Sequence, residues 1–307
     1  MSGKIVFISD FFVSQVSGGA EIYDSILIEE LESDGCKVCT FNSKEFTVNH
    51  LKLYLQFDFH FLISNFINLG EQVKKYLQAY GDKYCILEHD HKYVVSRNPA
   101  VYSDFTAPKE HLTNVDFYSS AKYVFCQSNI HKETLEKNLE ISNVINLSCS
   151  LWSASQLSTI RNSLKSKKTR KNFILGDLNP IKGLVEAKKF CEAKGLEYDV
   201  VEKKPYSEFI STLSQYEKLV FFPKTLESFC RLVLEARMLD CGLFTNNLNG
   251  CTQESWFRGL KGEELIDFVE SKRSEVVSII REKLLEEKQT KTEDITVILN
   301  CYRRPYN

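Results

Sequence analysis

The sequence predicts an α/β protein built as two Rossmann-like, doubly wound parallel-sheet domains that face each other across a cleft. Three observations predict it. Apolar runs of strand length recur along the chain and alternate with helix-length segments, the pattern of parallel strands joined by crossover helices. The alternation is interrupted once, by a polar Ser- and Lys-rich stretch, and then restarts. A chain of 307 residues is long for one core and comfortable for two domains of ordinary size.

The first strand is "KIVFISDFF", a continuous apolar run of the kind expected when both faces are covered. A loop, "VSQVSGGAE", leads to a helical pattern with Ile22, Ile26 and Leu27 that ends near Gly35. "CKVCTFN" is the second strand, and "FDFHFLISN" (57–65), "KYCILEH" (83–89), "KYVFCQS" (122–128) and "NVINLS" (143–148) continue the series. Helix-like segments fall at about 70–80 and 129–140. Residues 1–152 are thereby assigned to the first domain.

Residues 153–171, "SASQLSTIRNSLKSKKTRK", lack sustained periodicity and read as a solvated linker. Their lysines also form a polybasic segment that could meet an anionic acceptor or a lipid surface, so peripheral membrane contact is left open. The second domain, 172–307, opens with "NFILGDL" and continues with a helix (183–194), "EYDVVE" (197–202), a helix (205–216) and "KLVFFP" (218–223). A helix from about 228 and "GLFTNN" (242–247) follow. The charged helical pattern at 262–288 suits a surface, a cross-domain brace or an interface, and the tail beyond is a candidate to pack back on the first domain.

Composition excludes several classes. Hydrophobic residues at 43% and charged residues at 26% describe a globular protein, and a net charge of −2 gives no global attraction to nucleic acid or anionic membrane. Any anionic ligand must be held by local chemistry. No run approaches the roughly 18 apolar residues of a membrane span; even "FDFHFLISNFINL" carries Asp58, His60 and two asparagines. "MSGKIVFISDFF" has no charged leader or cleavage site, and the ten cysteines form no Cys-x-x-Cys pair, so a cytoplasmic protein with reduced core cysteines is expected.

Open parallel sheets bind ligands where strand ends lead into helix N-termini. Three such loops suit a phosphorylated ligand. In "SGGAE" (17–21), Gly18 and Gly19 allow close backbone approach, though the spacing is neither a dinucleotide fingerprint nor a Walker sequence. In "GDLNPIKGL" (176–184), Gly176 ends a strand and Lys182 stands at a helix start, where the macrodipole already supplies positive charge. A bound anion or a solvent-facing lysine accounts for it. In "FFPKTLESFCRLVLEARMLDCG" (221–242), Glu227 follows the strand and Glu235 lies in the helix. Eight helical residues would separate them by about 12 Å, the reach of a nucleoside diphosphate sugar from ribose to hexose. Carboxylates accept from paired hydroxyls, and the N–H groups of Ser228, Phe229 and Cys230 would face a diphosphate. No Asp-x-Asp motif is present. "EHDH" (88–91) ends a strand, but adjacent strand residues point to opposite faces, so a metal shared by His89, Asp90 and His91 is awkward.

The order Gly-Gly-Ala-Glu, Gly-x-Leu-x-Pro-x-Lys-Gly and Pro-x-x-x-Glu-x-Phe-x-x-x-x-x-Glu-Ala resembles glycosyltransferase family 4 of the GT-B fold, across both halves. The resemblance implies a retaining, metal-independent enzyme that takes a hexose from a nucleotide diphosphate sugar, UDP- or GDP-linked, with no other cofactor. The acceptor would be a hydroxyl of a glycan, lipid or protein-linked sugar. By position, Glu227 would contact the donor sugar, Glu235 the ribose and Lys182 the diphosphate. Gly18 and Gly19 would line the diphosphate from the other domain, with Gly176 and residues 228–230 completing the donor site. His89 matches a histidine common at this strand end and would assist catalysis or bind an acceptor hydroxyl.

The sequence departs from the family in three places. Asp177 stands where arginine is usual, Glu227-Ser228-Phe229-Cys230 replaces Glu-Gly-Phe-Gly, and Ser64 and Asn65 stand where many relatives have a histidine. The chain is also short for the family. These departures keep open a catalytically weak or inactive protein that binds sugar nucleotide or glycan. A DNA glycosyltransferase of the phage type is a further alternative, though it would want a basic cleft that the overall charge does not supply.

Overall fold

The computed structural model describes residues 3–286. The N-terminal half is a six-stranded parallel sheet and the C-terminal half a four-stranded one. The first sheet comprises β1 (Lys4–Ser9), β2 (Lys37–Asn42), β3 (His60–Ile63), β4 (Tyr84–Leu87), β5 (Val124–Cys126) and β6 (Val144–Asn146), in the order β2-β1-β3-β4-β5-β6. Ile5 to Ile8 pair in register with Val38 to Phe41 on one side and His60 to Ile63 on the other. Covered on both faces, all four are fully buried, which is why this strand reads as an unbroken apolar run. The helices are α1 (Gly19–Ser33), α2 (Val48–Gln56), α3 (Glu71–Gln78), the short α4 (Val115–Ser119) and α5 (Asn129–Leu139). Sequence periodicity misses α2, which a Thr47–His50 capping box starts and which buries only Leu51.

The second sheet comprises β7 (Arg170–Leu175), β8 (Tyr198–Val201), β9 (Tyr216–Phe221) and β10 (Gly242–Thr245), in the order β10-β9-β7-β8. Its helices are α6 (Ala154–Leu164), α7 (Leu184–Lys194), α8 (Tyr206–Leu213), α9 (Arg231–Met238) and α10 (Gly262–Leu285). In both sheets strand order reverses beside the first strand, between β1 and β3 and between β7 and β9, and crevices open at such switch points.

The segment read as an unpatterned linker contains α6. Ser153 and Gln156 form a capping box, and Leu157 and Ile160, three apart on one face, are buried. The helix packs against α8, α9 and α10. Its serines, with the lysines at 165, 167 and 168 that follow it, mask a two-residue apolar stripe.

One cluster of buried side chains runs from Phe7 and Leu27 through Trp152 to Leu234 and Ile280, so the halves share a core. α10 braces them: it contacts α6 and α9 on one side and α1 and β3 on the other. Arg273 pairs with Glu30 (3.2 Å) and Arg281 with Asp34 (3.7 Å). The expected packing of the tail after this helix lies outside the described residues. No helix among the described residues is long and apolar enough to cross a membrane, and the nine cysteines among them are free, eight of them buried.

Candidate functional site

The two switch points face one another across a cleft of about 660 Å³. From the N-terminal half, β1 leads into Asp10, whose carboxylate accepts from the backbone N–H of Ile67 (2.9 Å) and Asn68 (3.0 Å). Gly18 caps α1 without a side chain, and Gly19 opens the helix toward the cleft; a Cβ there would lie 3.7 Å from Arg231 Cδ of the opposite half. Both glycines line the cleft, as does His89 at the end of β4.

From the C-terminal half, the turn after β7 presents Lys182. Gly183 follows in the left-handed region, with φ 71°, and the site of its missing Cβ lies 1.7 Å from Phe222 O, so no other residue fits. Lys182 Nζ lies 2.7 Å from Glu227 Oε1. Burial disfavours the lysine's charge, but Glu227 outweighs it and holds the Lys182 pKa above its ordinary value. The loop after β9 carries Glu227, Ser228, Phe229 and Cys230 into the cleft and ends at α9, whose start has no side-chain cap. Its free N–H groups and dipole favour an anion. Cys230 takes φ 77°, ψ 84°, keeping a backbone shape that favours glycine at a position where the resembled family has glycine.

Glu235, one helical turn into α9, is buried, and the hydrogen bonds its carboxylate accepts fall on Oε1: from Trp152 Nε1 (2.9 Å) and Tyr206 Oη (3.1 Å). Oε2 is not among the buried unpartnered atoms, and the residue lines the cleft. Burial raises the Glu235 pKa, against the opposing pull of Arg231.

Of the residues expected in the site, Gly176 does not line the cleft; its lack of a Cβ leaves room for the Glu202 carboxylate, 2.6 Å from where that atom would be. His89 lines it, but both ring nitrogens are engaged within its own half. Gln127 Nε2 donates to Nδ1 (2.8 Å), so Nε2–H faces Asp24 Oδ1 (3.2 Å). Direct proton transfer by His89 requires one of these bonds to open. Asp24 is fully buried and also accepts from Ser9 (3.1 Å) and Ser64 (2.9 Å), which gives Ser64 a structural part.

Asp177, in place of the usual arginine, is paired with Lys203 at 2.8 Å. Burial raises its pKa, but Lys203 and the Asn179 N–H more than offset this, so it stays below the ordinary value.

Sequence reasoning misses Arg231. It stacks over Trp152 at 4.1 Å, donates to Leu151 O and lies 3.7 Å from Glu235. The signal was available: a cation at a helix start opposes the macrodipole and calls for an anion. Among the described residues, no group of three or more His, Cys, Asp and Glu is arranged to hold a metal ion.

No protein family is matched by the sequence. No curated protein is matched either. Solved structures do match. An α,α-trehalose-phosphate synthase (UDP-forming) from Burkholderia vietnamiensis aligns with a TM-score of 0.54 at 9% identity, over 94% of this chain and 90% of that one. HepE from Anabaena, in complex with UDP and glucose, aligns at 0.44 and 15% identity over 92% and 99%. An α-glucosyltransferase in complex with UDP and a DNA 13-mer aligns at 0.41 and 10% identity over 92% and 94%.

The class is therefore defined by architecture: two parallel α/β halves around a cleft, the GT-B fold of nucleotide-sugar glycosyltransferases. On that fold this chain has a four-stranded second sheet, Asp177 on the turn after β7 and Cys230 in the loop that starts α9.

Proposed function

We propose that this protein is a retaining glycosyltransferase that moves a hexose from a nucleotide diphosphate sugar to a hydroxyl acceptor, without a metal ion. The carrying observation is the convergence in one cleft of Lys182, the uncapped start of α9 and the carboxylates of Glu227 and Glu235. The diphosphate meets Lys182 and the N–H groups at 228–230, so the charge that develops on the leaving group is stabilised without a cation cofactor. Glu235 Oε2 accepts from the ribose hydroxyls. Glu227 orients the hexose and exchanges its bond to Lys182 for one to the sugar.

The step breaks the bond between the hexose C1 and the diphosphate oxygen, and the electron pair leaves with the nucleotide. The acceptor oxygen bonds to C1 on the same face and its proton passes to the departing phosphate oxygen. Four of the six carboxylates that line the cleft are engaged by N–H groups or lysines, which is the support for this front-face course over a double displacement. Asp10 is held by two N–H groups, Asp90 by Lys92, Asp177 by Lys203 and Glu227 by Lys182. A UDP donor is favoured by analogy with the UDP-forming synthase of the same fold. The free cysteines support a reducing compartment, the cytoplasm in this reading.

The test is thermal unfolding against UDP-, GDP-, ADP- and dTDP-sugars, followed by turnover with the donor that binds. One donor should raise the melting temperature, and Glu227→Gln should retain nucleotide binding while losing about 10²-fold or more in kcat. A protein that binds its donor but releases no nucleotide with sugar, lipid or glycan acceptors would instead be a sugar-nucleotide binding protein.

A further inference from the structure

The loop that carries Glu227 belongs to the C-terminal half by sequence but is held by both halves. On its own side, Lys224 N donates to Ile181 O (2.8 Å), Glu227 N to Leu248 O (2.8 Å), Gly250 N to Glu227 O (2.9 Å) and Cys251 N to Phe229 O (2.8 Å). From the N-terminal half, Asn98 grips the loop twice: Nδ2 donates to Lys224 O (2.9 Å) and Oδ1 accepts from Leu226 N (3.3 Å). The carbonyl of Leu226 can only accept, so His91 Nε2 carries the proton it donates there (3.0 Å). Ser128 Oγ donates to Ser228 O (2.6 Å). Four hydrogen bonds, all between N-terminal side chains and loop backbone, bracket Glu227 at residues 224, 226 and 228.

The gripping side chains are themselves fixed. His91 Nδ1 pairs with Tyr93 Oη (2.8 Å), Ser128 Oγ caps α5 by accepting from His131 N (3.3 Å), and Asn98 Oδ1 also accepts from Ala100 N (3.1 Å). The segment that presents His91 and Asn98 contains two non-glycine residues in the left-handed region, His91 (φ 59°) and Arg97 (φ 53°). Such backbone persists where the surroundings enforce it and clusters at functional sites. The contact is also close: a Cβ on Gly250 would lie 2.2 Å from Ser228 O and 2.5 Å from Ser128 Oγ.

We propose that Asn98, His91 and Ser128 are positioning residues for the transfer reaction. Through the backbone at 224–228, the N-terminal half sets where the Glu227 carboxylate and the helix-start N–H groups meet the donor. The donor site is then complete only when the two halves are together, and separating them leaves the loop with the bonds of its own half alone. This rests on the reading of the cleft as a nucleotide-sugar site.

The test compares wild type with Asn98→Ala, Asn98→Asp, Ser128→Ala and Ser128→Thr. It uses backbone amide exchange at residues 224–228, calorimetric titration with UDP and UDP-glucose, steady-state kinetics and thermal melts. In Asn98→Ala the Leu226 amide should exchange about tenfold faster or more, while the Glu227 amide, held by Leu248 O, keeps its protection. UDP affinity should change by less than about threefold while kcat falls by about tenfold or more, with Ser128→Thr recovering what Ser128→Ala loses. Asn98→Asp keeps the acceptor for Leu226 N and loses the donor to Lys224 O, so it covers an Asn98→Ala protein that does not fold.

Unchanged Leu226 exchange in Asn98→Ala would overturn the proposal whatever the ligand, as would an Asn98→Asp protein with wild-type kinetics where Asn98→Ala does not fold. So would faster exchange with kcat and KM intact, or losses in UDP binding, kcat and melting temperature that run in parallel. A wild type that binds none of the four nucleotide sugars would overturn the donor reading and the positioning role built on it. The exchange data would still show whether the N-terminal half holds the loop.

Discussion

Glu235 is the residue whose substitution separates ligand recognition from folding, provided the right substitution is made. Glu235→Ala leaves two buried donors, Trp152 Nε1 and Tyr206 Oη, without an acceptor and leaves Arg231 beside no carboxylate. Each orphaned donor costs about 1–3 kcal/mol. The contributions overlap, so about 3–5 kcal/mol is expected in all. With about 2.1 cal/mol/K per residue of unfolding entropy, a chain of 307 residues loses about 1.6 °C per kcal/mol, or about 5–8 °C. A ligand at a hundred times its Kd adds about 2.7 kcal/mol, about 4 °C on the same scale. Loss of a ligand shift in Glu235→Ala is therefore uninterpretable alone. Glu235→Gln keeps an acceptor oxygen for Trp152 and removes the charge that burial already disfavours. It should melt within about 3 °C of wild type and lose most of the nucleotide-dependent shift. The assay is differential scanning fluorimetry with and without the best-binding donor. A Glu235→Gln protein with the full shift would remove Oε2 from ligand recognition, and a Glu235→Ala protein that melts like wild type would refute the buried network.

Two further outcomes follow from the same geometry. Gly183→Ala places a methyl on Phe222 O and adds left-handed strain of about 1–2 kcal/mol; the displaced turn carries Lys182, so both melting temperature and donor binding should fall, as melts and titration would show. Burial, aided for His60 by nearby Lys83 and Lys122, holds the pKa of His60 and His91 down to about 4 and that of His131 well below the ordinary value. Between about pH 6.5 and 4 the unfolded chain binds protons that the folded protein does not. Stability should therefore fall by several kcal/mol as pH drops through that window. Denaturant titrations at three pH values would show it, and a flat profile would contradict the burial. His131→Leu, which removes two ring nitrogens without partners, should flatten the decline.

How much of this was legible in the sequence follows from which interactions are local. The strands were legible because burial on both faces removes polar residues from them: Ile5 to Ile8 and Phe61 to Ile63 are fully buried. The linker was misread because α6 buries only Leu157 and Ile160, carries serine, threonine and asparagine on its other faces and is followed by Lys165, Lys167 and Lys168, the composition of a loop. Gly176 was misread because a glycine at a strand end suits a ligand and a neighbour equally; the vacant space goes to Glu202, and that choice is made 26 residues away. Motif order placed Lys182, Glu227 and Glu235 at strand ends and helix starts. It could not show that Lys182 and Glu227 bind one another, or that Trp152 and Tyr206 reach Glu235, since these contacts span 29 to 83 residues.

The same long-range contacts decide what the departures from the family pattern do. A carboxylate at 177 would repel a diphosphate if it stood alone, but Lys203 neutralises it at 2.8 Å. A guidanium-type cation is still present in the cleft, supplied by Arg231 at the start of α9, with its plane fixed on Trp152. Cys230 keeps the left-handed backbone of the glycine it replaces, so the helix start retains its shape at a cost in strain. The departures at 177 and 230 are thus answered within the cleft by a residue remote in sequence and by the backbone itself. The loop that leads into α9 is also held by the N-terminal side chains at 91, 98 and 128.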